Sequence, residues 1–163
     1  MSKGLAKTNA ARLLDRLGIS YRLQPYVVGD EHLAAHEVAA QIGMDPQSVF
    51  KTLVAQGDRN GHCFAVVPAT ADVDLKALSV ASGNRKVTMV PLKEVQSLTG
   101  YVRGGVTALA AKRAFPVYLD ETALSQHELA VSAGQRGLQL VLAPQDYVRA
   151  TQATVAVIAI ERE

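Results

Sequence analysis

The sequence predicts a mixed-sheet α/β (α+β) domain. Three observations carry this. Strand-like and helix-like segments interleave irregularly. Some strand pairs are joined by hairpin sequences and others by helical crossovers. The apolar runs are built from Val, Leu, Ile and Ala, because the chain has only 3 Phe, 5 Tyr and no Trp. A chain of 163 residues, 48% hydrophobic and 20% charged, fits one globular domain over 1–163. No internal repeat, low-complexity tract or linker interrupts it.

Thr8 is placed to cap a first helix running to about Leu17, with Ala10, Leu13, Leu14 and Leu17 on one face and Gly18 ending it. Residues 19–23 read as a short strand and 25–33 as a loop. A second helix covers 36–42 and stops at Gly43. Residues 49–56 and 63–68 read as strands joined across Gly57-Asp58-Arg59-Asn60-Gly61. Asp72 or Asp74 caps a helix to about Ser82, and 86–90 is a brief strand. Pro91 suits the first residue of a helix that ends at Gly100. Residues 101–106 hold a tight Gly-Gly turn. Residues 117–119 read as a buried strand and 121–124 as one helical turn. Leu129–Ser132 and Leu138–Leu142 are strands joined through 133–137. A last helix covers 144–150 and a closing strand 154–160.

The net charge of +2 is only mildly basic, which argues against a strong non-specific polyanion binder and against DNA as a target. It permits a local basic patch. Lys3, Lys7, Arg12, Arg16 and Arg22 form one cluster, and Arg85, Lys86, Lys93, Arg103, Lys112 and Arg113 another. Either is a solvated face or a modest RNA footprint. A single cysteine, Cys63, excludes an intramolecular disulfide and suits a reducing compartment. The first residues lack an apolar signal-like core and no segment reaches 18 apolar residues, so the expected location is cytoplasmic, with no membrane partner.

One charge stands out. Lys51 lies inside the apolar run Ser48-Val49-Phe50-Lys51-Thr52-Leu53-Val54-Ala55. Strand alternation puts Lys51 on the face of Val49 and Leu53, and Phe50, Thr52 and Val54 on the other. Lysine is rarely buried without a partner. Lys51 is therefore either a structural ion pair or a cation held in a cleft, where it would bind a phosphate or polarise a carbonyl.

Other chemistries are weakly supported. His32 and His36 are four apart, a chelating spacing on a helix, but the chain has no HExxH or CxxC and no metal is expected. Cys63 follows His62 on a strand, where neighbours face opposite ways, so His62 is poorly placed to activate it. There is no GxSxG elbow, P-loop or GxGxxG, and no cofactor is expected. Ser132 leads into Ala133-Gly134-Gln135-Arg136-Gly137, which reads equally as a plain hairpin loop or as backbone that approaches a ligand. Gly104-Gly105 reads as a turn, or as a pair of N–H donors for an oxyanion or phosphate.

Four segments occur in order: Phe50-Lys51-Thr52-Leu53, Gly100-Tyr101-Val102-Arg103-Gly104-Gly105-Val106, Val131-Ser132-Ala133-Gly134-Gln135-Arg136-Gly137-Leu138 and Ala143-Pro144-Gln145-Asp146-Tyr147. Together they resemble the YbaK/EbsC family, free-standing relatives of the prolyl-tRNA synthetase editing (insertion) domain, over nearly the whole chain. The resemblance implies a mixed, curled, barrel-like β-sheet surrounded by helices. It implies hydrolysis of mischarged tRNA, here Cys-tRNA(Pro), with aminoacyl-tRNA bound by its acceptor end and prolyl-tRNA synthetase as an expected partner. It implies neither a metal nor a covalent enzyme intermediate, since the substrate's own thiol attacks its ester and leaves as a thiolactone.

The family's key lysine matches Lys51, its tyrosine Tyr26, its backbone-donating glycine Gly104 and its loop serine Ser132. Thr52, Gly105 and Gly134, inside the same motifs, are expected at the substrate. Two departures are visible. Thr107-Ala108-Leu109-Ala110 replaces the family's usual Ser/Cys-Pro-Leu/Phe-Gly, and Ala133 replaces the first glycine of the serine loop. The first bears on which amino acid is cleared, with Ala or Ser as alternatives to Cys. A non-catalytic tRNA- or synthetase-binding module is the alternative from another class.

Overall fold

β2 (Phe50–Gly57) is the strand on which two sheets meet. The computed structural model describes residues 7–29 and 34–161. In it, β2 turns tightly into antiparallel β3 (Gly61–Pro68), with Lys51 opposite Val67 and Ala55 opposite Cys63. β3 runs parallel to β6 (Val117–Asp120), and β6 parallel to β9 (Thr154–Ala156). With β5 (Val87–Met89) on the far side of β2, the sheet has five strands in the order β5-β2-β3-β6-β9. A second, antiparallel sheet of three strands is ordered β1 (Arg22–Pro25), β8 (Leu138–Leu142), β7 (Leu129–Ser132). A single parallel bridge, Val49 to Ala130, links the two. β4 (Ala71–Val73) and β10 (Ala159–Glu161) form a separate ribbon. The mixed α/β architecture agrees with expectation. The barrel, however, stays open, because only that one bridge joins the sheets.

One core lies between the sheets. Phe50, Val54, Phe64, Val66 and Leu119 meet Leu129, Val131, Leu138, Leu140 and Leu142 there, all buried. The helix α1 (Asn9–Arg16) closes it with Ala10, Ala11 and Leu14, and α5 (Pro144–Thr151) with Tyr147. The opposite face of the larger sheet, Ala55, Cys63, Ala65 and Val67, is covered by Leu78 of α3 (Leu75–Ser82). Helix α2 (Ala35–Ile42) packs Ala39 and Ile42 on Ala130 and Val141 of the smaller sheet. Helix α4 (Leu92–Thr99) follows β5. No helix among the described residues is long and apolar enough to cross a membrane.

Three local expectations need correction. Ile19 is not in a strand. Gly18 is left-handed (φ +70°) after α1, and the Ile19 N–H donates to the Leu14 carbonyl at 2.9 Å. The buried Ile19 thus completes a hydrophobic helix cap, and β1 begins only at Arg22. Pro91 caps α4 with extended ψ (137°) rather than opening it. The single closing strand is broken in two, because the buried Asp120 carboxylate accepts from the N–H groups of Ile158 and Ala159, each at 2.9 Å. That turns β10 away from β9 to pair with β4, a strand of three residues that periodicity does not reveal. The loop expected over 25–33 and the residue His32 lie partly or wholly outside the described residues.

β2 also carries the feature that makes the site. Its ladder with β3 covers residues 50–57, but on its other edge β5 pairs only with 55–57, and β7 forms a single bridge to Val49, just before the strand. The Val54 carbonyl still accepts from Val90 N–H at 3.0 Å, so even-numbered residues of β2 turn their main-chain polar groups to this side. Thr52 lies between the two attachments, and no strand among the described residues pairs with its N–H and C=O there.

Candidate active site

A cavity of about 760 Å³ occupies this gap in the β2 edge. Its walls come from distant parts of the chain: Tyr26 after β1, residues of α2, Phe50–Val54 of β2, the start of α4, Gly104, and Ser132 with Gln139 on β7 and β8. Five of the seven residues expected at the site line it: Tyr26, Lys51, Thr52, Gly104 and Ser132. Two, Gly105 and Gly134, do not.

Lys51 reaches the cavity from the β2 face that also meets β4. Its Nζ stands 3.7 Å from Asp72 Oδ1, with the lysine side chain 26% exposed and the carboxylate 54%. Both sequence readings therefore hold at once, since Lys51 is ion-paired at a cavity wall. A half-exposed pair at this distance is weak, contributing about 0–1 kcal/mol. Arg103 and Arg136 line the same cavity, together with His36, and no Asp or Glu lines it among the described residues. The wall is thus electropositive and suits phosphate.

Gly104 has φ +86°, a conformation that favours glycine. Its N–H makes no protein hydrogen bond among the described residues. The Gly105 N–H, by contrast, is spent on the Val102 carbonyl at 2.9 Å, closing the turn. A Cβ on Gly105 would stand 3.0 Å from Gln135 Cα, so this glycine lets the two glycine loops touch. Gly134 supports rather than lines: its N–H donates to Ser132 Oγ at 3.1 Å, and a Cβ there would meet the Tyr101 ring at 3.1 Å. Ala133, in the place of a family glycine, is simply buried.

The Tyr26 wall is fixed from both sides. Tyr26 N–H donates to Gly137 C=O at 2.9 Å, and Gln41 of α2 bonds both the N–H and C=O of Val27, at 2.7 and 3.2 Å. Arg136 Nη2 donates to Gly29 C=O at 3.4 Å. Beneath the floor, the Thr52 hydroxyl stands beside the Tyr147 phenol, and neither oxygen makes a hydrogen bond of good geometry among the described residues. Burial pushes the Tyr147 phenol far above its ordinary range, opposed by the neighbouring Thr52 hydroxyl, so it stays neutral.

The departing segment 107–110 is anchored behind the glycine loops. Tyr101 Oη donates to the carbonyls of Leu109 (2.6 Å) and Ala110 (3.1 Å). Thr107 and Leu109 are fully buried, and Ala110 adopts φ +54° where the family has glycine. Cys63 is far from this chemistry. It is buried in the α3-facing core, and burial pushes its thiol up to about 11. His62 stacks on Phe115 instead, with ring centroids 5.0 Å apart.

Sequence reasoning missed Gln139. It is 6% exposed, it lines the cavity, and its Oε1 has no hydrogen-bond partner among the described residues. The available signal was the one that exposed Lys51, a lone polar residue in an apolar strand, Leu138-Gln139-Leu140-Val141-Leu142. Arg103 and Arg136 were noted only as parts of a cluster and a motif.

Comparison with known proteins bears on this geometry. The family profile of the aminoacyl-tRNA editing domain matches residues 31–150. EbsC of Enterococcus faecalis, named as a candidate Cys-tRNA(Pro)/Cys-tRNA(Cys) deacylase, is 40% identical over 152 residues, 93% of each chain. The crystal structure of a candidate trans-editing enzyme for prolyl tRNA synthetase superposes with a TM-score of 0.83 at 24% identity, covering 96% of this chain and 99% of its own. That of a hypothetical protein reaches 0.83 at 24% identity, covering 94% of this chain and all of its own. At that identity the two structures establish the fold, while the profile and the 40% identical relative establish the family: this chain belongs to the aminoacyl-tRNA editing domain family.

Proposed function

We propose that this protein is a trans-editing deacylase of mischarged tRNA, acting on Cys-tRNA(Pro). The observation that carries the reading is the composition of the cavity wall. Lys51, Arg103 and Arg136 and the uncommitted Gly104 N–H converge on one space, while no cysteine and no carboxylate lines it among the described residues. Such a wall can bind a phosphate and polarise an ester, but it supplies no activated nucleophile. Ser132 Oγ accepts from Gly134 N–H, and no base among the described residues is hydrogen-bonded to it.

The reaction then falls to the substrate. The cysteinyl thiol attacks its own ester carbonyl carbon, the C–O bond to the terminal ribose breaks, and the ribose oxygen takes up a proton. The amino acid leaves as a thiolactone that water opens. The protein's part is positioning. Lys51 holds the terminal adenosine phosphate or ester region by charge. Gly104 N–H binds the developing oxyanion, and loss of such a donor costs about 3–4 kcal/mol in the transition state. Tyr26 and Ser132 orient the terminal nucleotide and the aminoacyl group. Prolyl-tRNA synthetase as a partner belongs to the same proposal, and its retention on the immobilised protein tests that point.

The decisive experiment is deacylation of a panel of charged tRNAs. Rapid loss of Cys-tRNA(Pro) with intact Pro-tRNA(Pro) is expected. Equal loss of Ala-tRNA(Pro) would remove thiol assistance, since alanine has no sulfur to cyclise. Binding without any deacylation would make the protein a tRNA-binding module.

A further inference from the structure

One buried side-chain oxygen in the cavity wall, Gln139 Oε1, has no hydrogen-bond partner among the described residues. On β8, Gln139 stands opposite Ser132 of β7 and Gln24 of β1. A buried, unsatisfied amide oxygen is a free-energy cost that an apolar residue of similar shape would not carry. The neighbouring positions of β8 are all apolar and buried. At this point of the wall the protein therefore carries an acceptor with no donor among the described residues.

The charge of the wall decides which ligand group that acceptor meets. An aminoacyl ester brings a phosphate, a carbonyl and an α-amino group. The cations and the Gly104 N–H suit the first two. The amino group is a donor and needs an acceptor, and no carboxylate lines the cavity among the described residues. Among the described lining residues only neutral oxygens remain, the nearby Asp72 carboxylate being engaged with Lys51. We propose that Gln139 receives the substrate's α-amino group, accepting its hydrogen bond through Oε1. The inference rests on the deacylase reading above. Oε1 is sealed from water in the empty cavity, so the contact forms when the amide turns about its terminal side-chain bond, a soft torsion.

A neutral acceptor fits this ligand. An α-amino group titrates at about 7.7–8.0, and an amide oxygen accepts from its protonated and neutral forms alike. The contact also sets free aminoacyl esters apart from N-acylated ones, whose nitrogen keeps one N–H and carries a bulky acyl group. Gln139 is thereby a specificity residue that spares N-blocked tRNA.

The test is calorimetric titration of 3′-deoxy-3′-(L-cysteinylamino)adenosine, which resists hydrolysis, and of its N-acetyl derivative. The wild type is expected to prefer the free amine at least tenfold. Gln139→Leu should lose about tenfold for the free amine and nothing for the N-acetyl form. Gln139→Glu keeps an acceptor and should keep the preference, which serves also if the leucine variant fails to fold. Equal weakening of both ligands by Gln139→Leu, loss of the preference in Gln139→Glu, or no free-amine preference in the wild type overturns the assignment. Hydrolysis of Cys-tRNA(Pro) is followed in parallel. Its absence with the amine preference intact removes the deacylase reading alone, and the converse removes the Gln139 contact alone.

Discussion

Gly105 touches the main chain of Gln135: a Cβ built on the glycine would lie 3.0 Å from Gln135 Cα and 3.2 Å from its N and C. The neighbour is backbone and cannot swing aside. Gly105→Ala should therefore push the two glycine loops apart, at a cost of about 1–3 kcal/mol in denaturant unfolding. Deacylation should fall with it, because Gly104 and Ser132 sit on those loops.

Lys51→Ala should separate activity from stability. Its ion pair with Asp72 is weak, at 3.7 Å with both side chains partly exposed, and losing that pair should change unfolding by less than about 1 kcal/mol. If Lys51 holds the substrate, Cys-tRNA(Pro) deacylation should drop about 100-fold or more. Near-full activity in Lys51→Ala would end that role.

Ala110 is one of two non-glycine residues with positive φ among those described, at +54°. Ala110→Gly should stabilise the protein by about 0.5–1 kcal/mol, the relief of a left-handed side chain less the added freedom of the unfolded chain. Tyr101→Phe, which deletes the hydroxyl bonds to Leu109 and Ala110, should cost about 1 kcal/mol and alter the ratio of Cys- to Ala-tRNA(Pro) cleavage. An unchanged ratio would detach segment 107–110 from substrate choice.

Cys63 gives a pH prediction. Burial raises its thiol from 9.0 to about 11. A group raised on folding stabilises fully below its unfolded value and loses that contribution as pH climbs through its folded value. The protein should weaken between pH 9 and about 11, and Cys63→Ala should flatten that part of the curve. The same variant should deacylate normally, because Cys63 lies outside the cavity.

Much of this was legible in the sequence, for physical reasons. The hairpin of β2 and β3, and β7 and β8 to the residue, followed from period-two apolar runs bounded by glycines. Lys51 and Ser132 were visible because polar residues in such runs demand an explanation. Ile19 misled because its burial serves a helix cap rather than a strand. β4 and the break before β10 could not be read locally, since both depend on Asp120 capturing N–H groups about forty residues away. The roles of Gly105 and Gly134 were hidden for the same reason: what a glycine makes room for is a matter of tertiary contact.

The interrupted edge of β2 has one more consequence, for motion. Thr52 N–H faces the gap, whereas its neighbours Lys51 and Leu53 point into the β3 ladder. In deuterated solvent the Thr52 amide should exchange well before theirs in the empty protein, and slow when the cavity fills. A sheet that closed here would be better protected and would have nowhere to put a substrate.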